Sequence, residues 1–137
     1  MRSYRFGMKS TGLVSMVLST LLLVACGQES STGSRLPVPP KGFVANVQQG
    51  EKLFLQNCAS CHGQTARGSD FGPPLIHKVY KADHHADLAF YMAAKNGSQQ
   101  HHWQFGDMPP VETVSPEEVG HIVSYIRAQQ RRAGLYN

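Results

Sequence analysis

The sequence predicts an all-α domain on three observations. Apolar residues after Asn46 recur three and four apart, helix start and stop signals bracket those runs, and no stretch alternates apolar with polar side chains. Val47, Gly50, Phe54 and Cys58 form one face of a first helix. Asp83 is placed to cap a second, which carries Leu88, Tyr91, Met92 and Lys95 and stops at Asn96-Gly97. Ser115-Pro116-Glu117-Glu118 opens a third, with a hydroxyl cap, a proline in the first turn and a glutamate at the third position. Val119, Ile122, Val123 and Ile126 line its apolar face. Arg127, Arg131 and Arg132 gather towards its end, where the helix dipole favours cations.

A length of 137 residues suits one such domain with a tail and excludes a barrel enzyme or a two-domain dinucleotide enzyme. The tail is legible first as an address. Arg2, Arg5 and Lys9 precede an apolar run from Leu13 to Ala25. As a helix that run rises about 20 Å, short of the roughly 30 Å hydrocarbon core, so it reads as an export signal over residues 1–25. Leu23-Val24-Ala25-Cys26 resembles the lipobox of bacterial lipoproteins, which implies cleavage before Cys26 and its lipidation. Stable anchoring then needs more than one acyl chain. Gly27 is not the aspartate that favours inner-membrane retention, so the resemblance leaves the outer membrane open. Residues 26–44 are rich in Ser, Gly and Pro and read as a tether, or as a strap resting on the domain through Phe43 and Val44. Residues 45–137 then form the folded domain.

The chemistry concentrates in Cys58-Ala59-Ser60-Cys61-His62, a C-x-x-C-H sequence that reads as a c-type haem attachment. Cysteines three apart on a helical turn present both sulfurs to one side, each able to form a thioether with a haem vinyl group. The next residue then sets an imidazole against the iron. Half of a zinc site is the weaker reading, since Cys26 is claimed by lipid and no second cysteine pair exists. A thioredoxin-like pair needs a strand before it, which the pattern lacks.

Several motifs in order give the chain from about Asn46 to Ile126 a resemblance to the small class I c-type cytochromes. Gly50 and Phe54 precede Cys58 by eight and four residues, as in that family, where the glycine lets the first and last helices cross closely. Tyr125, or Ile122 beside it, is the implied partner. Gly72-Pro73-Pro74-Leu75 is similar to the segment whose proline carbonyl accepts the Nδ1 proton of the proximal histidine, a role that falls on Pro73 towards His62. Asp107-Met108-Pro109-Pro110 looks like the loop of the distal methionine. The resemblance implies three to four main helices wrapped around one covalent haem c.

After loss of the signal only Met92 and Met108 remain as thioether ligands. Met92 lies in a predicted helix, where methionine usually fills core; Met108 lies in a loop stiffened by two prolines, 46 residues after His62. His62 and Met108 are therefore the expected axial ligands. Histidine competes, chiefly through His101-His102 just before Met108. That pair reads as a distal ligand, as a copper or other metal site, or as a polar loop with Trp103 covering the haem edge. His84-His85 reads as surface and His121 as outward-facing. Phe54, Leu75, Trp103, Phe105, Val111 and Ile126 are the expected packing shell.

With both axial positions filled by the chain, the expected activity is one-electron transfer by a carrier, not an enzyme. The expected site is a bacterial membrane, facing the periplasm, and the expected partners are respiratory complexes or periplasmic oxidoreductases. The alternatives are an electron-entry subunit of an oxidase or dehydrogenase, and a haem sensor or copper-binding module using His101-His102. The formal charge of +4 does not argue for nucleic acid. Removing residues 1–25 takes away three basic side chains and leaves ten against the nine acids, a balance of +1. Two haem propionates, if ionised, bring it to about −1. The three cysteines divide as one for lipid and two for haem.

Overall fold

A computed structural model describes residues 36–136. The expected signal segment and Cys26 lie outside them. The domain is helical: α1 spans Val47–Asn57, α2 Ala59–His62, α3 Asp87–Asn96 and α4 Pro116–Arg132, with one turn of 3₁₀ helix at Lys78–Tyr80. Extended pairing among the described residues is limited to two isolated bridges, Ser69 with Gly72 and Ser98 with Met108. Among the described residues, no helix is long and apolar enough to cross a membrane.

α1 and α4 make the principal helix pair. α1 begins where the Asn46 side chain accepts from the Gln49 N–H, and α4 begins in the full Ser115–Glu118 capping box that its sequence predicts. Gly50 is buried at the crossing, where a Cβ would collide with the His121 carbonyl and lie 3.0 Å from the Tyr125 Cβ. The contact therefore involves the backbone of α4 as well as Tyr125. Phe54 and Ile126 are fully buried beside this crossing, and Phe54 and Tyr125 pack at 5.4 Å between ring centroids. Phe54 belongs to this interhelical core and not to the wall of the cavity described below.

The second helix differs from expectation at its start. Asp83 does not cap it; the N-cap is Ala86, and Asp83 pairs with Lys81 at 3.5 Å. The reason is the intervening turn, in which the N–H groups of His84 and His85 both bond to the Lys81 carbonyl and delay helical continuation. The stop is as expected, with Gly97 at φ +75. Between Pro40 and α1, Phe43 packs on the His121 ring at 4.9 Å, whereas Val44 is 83% exposed and rests on nothing. His121 is turned inward to this contact: its Nδ1 accepts from the Asn46 N–H at 2.8 Å.

Arg127 is not part of a solvated basic end. It is buried, and its guanidinium donates to Asp87 at 2.8 Å, to the Gln130 Oε1 at 2.8 Å, and to the carbonyls of Tyr80 and His85. Gln130, fully buried, donates in turn to the carbonyls of Leu75 and Tyr80 at 2.8 and 3.0 Å. Every donor in this network finds an acceptor, as a buried polar group requires. It ties α4 to the turn that precedes α3.

Candidate functional site

α1 ends at Asn57, and the chain folds straight into the turn Cys58 to His62 because the N–H groups of Cys61 and His62 both reach the Cys58 carbonyl. That turn is held from the other side. The Gly68 N–H donates to the His62 carbonyl at 2.8 Å, and the Ser69 hydroxyl donates to the Cys61 carbonyl. Ser69 and Gly68 escaped the sequence reading, because a serine in a Gly-rich loop carries no signal of which carbonyl it will meet.

His62 is buried and its Nδ1 lies 2.9 Å from the Pro73 carbonyl. A carbonyl only accepts, so the proton is on Nδ1 and the lone pair on Nε2. Burial lowers the His62 pKa, while the bond to Pro73 opposes that shift. The ring is thus neutral and oriented, which is the state a metal ligand needs. Burial, with a smaller contribution from Cys61, pushes the Cys58 thiol up to about 11. Cys61 is exposed.

Cys58, Cys61 and His62 open onto a cavity of about 500 Å³. Its walls include Leu75, Trp103, Val111, Ile122 and Ile126, and Met108 lines the same space. Five of the six residues expected around a haem are there, Phe54 being the exception. Met108 is fixed by its backbone, which exchanges hydrogen bonds with Ser98 at 2.8 and 2.9 Å. Gly97 gives this bridge room, since a Cβ on it would press on the Met108 carbonyl. Met92 is not core filling: it is 39% exposed on α3 and also lines the cavity. Trp103 stacks on Tyr80 at 5.7 Å, with the rings 5° from parallel.

The structure also brings together what the sequence keeps apart. His84-His85 and His101-His102 face one another, with His84 Nε2 to His102 Nε2 at 3.4 Å and His85 Nε2 to His101 Nε2 at 3.4 Å. His84 is exposed and His85 half-buried, so the pair lies at the surface as expected, but against a second histidine pair. Burial first, then His84, His101 and Arg127, lower the His85 pKa; lost hydration and the other three imidazoles lower that of His102.

A C-x-x-C cysteine pair, a pre-oriented imidazole and an apolar cavity within the usual range of about 300–1,000 Å³ define a covalent haem site. The sequence model of the cytochrome c family matches residues 47–130, and the chain belongs to that family. Its cofactor is covalent haem c, with which Cys58 and Cys61 are consistent. The chain is similar to cytochrome cL from the marine methylotrophic bacterium Methylophaga aminisulfidivorans MPT, at 24% identity and a TM-score of 0.42. That similarity covers 60% of this chain and 51% of the other, so the chain spans about half the length of its structural relative. No curated protein matches the sequence.

Proposed function

We propose that the protein is a lipid-anchored monohaem carrier, ligated by His62 and Met108, that passes single electrons at the periplasmic face of a bacterial membrane. The observation that carries the ligation is the His62–Pro73 hydrogen bond, which leaves Nε2 bare inside a cavity that Met108 also lines. When bound, haem c supplies a one-electron Fe2+/Fe3+ couple. Cys58 and Cys61 would hold it by thioethers, and Pro73 keeps His62 in one tautomer. Met108 is preferred to Met92 because its own backbone is pinned by the bridge to Ser98 and Pro109-Pro110 stiffen the chain that follows. A ligand already held in place loses little freedom on binding. Its sulfur and the apolar walls both favour the less charged ferrous form, which raises the potential.

Anchoring rests on the sequence alone, through the apolar run and Leu23-Val24-Ala25-Cys26. The tests separate the two parts. Met108→Ala abolishes the near-infrared methionine–iron charge-transfer band of the ferric holoprotein and lowers its potential; an unchanged band and potential would refute the ligand assignment. Cys26→Ser moves the holoprotein from the membrane to the soluble fraction, and a variant that stays with the membrane would refute the anchor.

A further inference from the structure

Four histidines that electron transfer leaves unused meet at the rim of the haem cavity. We propose that His84, His85, His101 and His102 form a binding site for one divalent late transition-metal ion of the copper or zinc kind, held on imidazole nitrogens.

The spacing fits such an ion. Ligand nitrogens of His84, His85 and His102 all lie within 4.8 Å of one another. His101 adjoins them through the 3.4 Å approach of its Nε2 to that of His85. Nitrogens bound tetrahedrally at about 2.0–2.1 Å stand about 3.3–3.4 Å apart. Both observed Nε2 pairs have that separation, which is long for an N–H···N hydrogen bond.

The tautomers fit as well. His85 Nδ1 lies 2.8 Å from the Val79 carbonyl, and His101 Nδ1 lies 2.7 Å from the Gln99 carbonyl. Carbonyls accept only, so both rings carry their proton on Nδ1. The two Nε2 atoms then point lone pairs at each other across 3.4 Å. A cation shared between them turns that repulsion into two bonds. An imidazole giving its far N–H to a backbone carbonyl is also the usual outer-shell support of a ligating histidine.

Both halves of the site are held before any ion arrives. Arg127, through the His85 carbonyl and Asp87, fixes the turn that carries His84-His85. The Gln100 N–H bonds to Asp107 and the Gly106 N–H to the Gln100 side chain, each at 3.0 Å, closing the loop that carries His101-His102. The donor set is all imidazole, which suits copper and zinc and offers little to magnesium or calcium. Three of the four rings are exposed, so the ion enters from solvent.

The test uses the chelator-treated, full-length ferric holoprotein, so that added copper stays cupric. Zinc(II) and copper(II) are titrated separately, with metal counted per haem, and the copper form is read by electron paramagnetic resonance. One ion per haem and coupling to three or four imidazole nitrogens are expected. The His84→Ala/His102→Ala variant, both rings being exposed, is expected to bind at least about 100-fold more weakly, with the haem absorption spectrum unchanged. That loss exceeds the roughly 10–100-fold typical of an outer-shell change. Binding below one ion per haem, copper coupled to fewer than three nitrogens, or equal affinity in the variant would overturn the site. So would a changed axial-ligand spectrum in the metal-free variant, which would assign these rings to the haem. Because ligation by Met108 is read from the haem band and the second site from metal counts, either can fail alone.

Discussion

α3 and α4 both contribute to the wall of one cavity, yet they bury very different shares of themselves. α4 hides eight residues, among them Val119, Ile122, Val123 and Ile126. α3 hides none, and its Leu88 and Met92 stand 40% and 39% exposed. The difference lies in what each helix has to pack on. α4 meets α1 through the Gly50 crossing, so protein covers protein. α3 and the loop bearing Trp103, Phe105 and Met108 face the cavity, where a bound haem would supply their core. One half of the domain is complete in the chain; the other would be completed by its cofactor.

The most severe break is to withhold the haem. A Cys58→Ala/Cys61→Ala chain is expected to lose dispersed amide resonances across the domain, with residual helix confined to α1 and α4. A fully dispersed spectrum, α3 included, would show that the cofactor is not the missing core.

Next comes the complete half. In Gly50→Ala the new methyl group meets the His121 backbone, which cannot swing aside as a side chain can. The helices must separate, and denaturant unfolding of the holoprotein should show a loss of about 3 kcal/mol. A loss below 1 kcal/mol would mean that the crossing is loose.

Arg127 joins the halves, so Arg127→Met probes the seam. It leaves the His85 carbonyl without its donor and the Tyr80 carbonyl with Gln130 alone, at a cost of about 1–3 kcal/mol. Asp87 adds little to this figure, its side chain being 58% exposed and screened by solvent. The expected signature is a larger loss of hydrogen-exchange protection in α3 than in α1; equal losses would contradict the seam.

The smallest effect is electrostatic. Burial raises the Tyr80 pKa above its ordinary value of 10.0. A raised folded-state value means that the native state holds the phenol proton more tightly. Stability is therefore complete below about pH 10 and is lost as the pH rises through that value towards the folded-state pKa. Unfolding of the reduced protein at about pH 8 and about pH 11 should show this loss, smaller in Tyr80→Phe. An equal loss in both proteins would place the titration elsewhere, with Tyr91 and Tyr125, raised in the same direction chiefly by burial, the next to test.

Most of the haem site was legible because its parts are local or tied to short motifs. The cysteine spacing, the next-door histidine and the Pro73 carbonyl each answer to one strand of sequence. The α4 capping box, the Asn96-Gly97 stop and the glycine crossing were equally readable. Asp83 failed as a cap because a turn held by the Lys81 carbonyl took precedence over side-chain preference. Arg127 looked like a helix-end cation and is instead a buried donor, because its acceptors are carbonyls from 40 or more residues earlier. No local pattern announces such a partner.

The sequence by itself determined the helical class and the covalent haem motif, since spacing along a helix sets which side chains share a face. Only the tertiary structure decided which histidines meet. His84-His85 and His101-His102 are each an unremarkable polar pair in the chain. Folding lays two loops against one another and brings their ring nitrogens to 3.4 Å, a distance fixed by the packing of α4 and its arginine, not by any local preference.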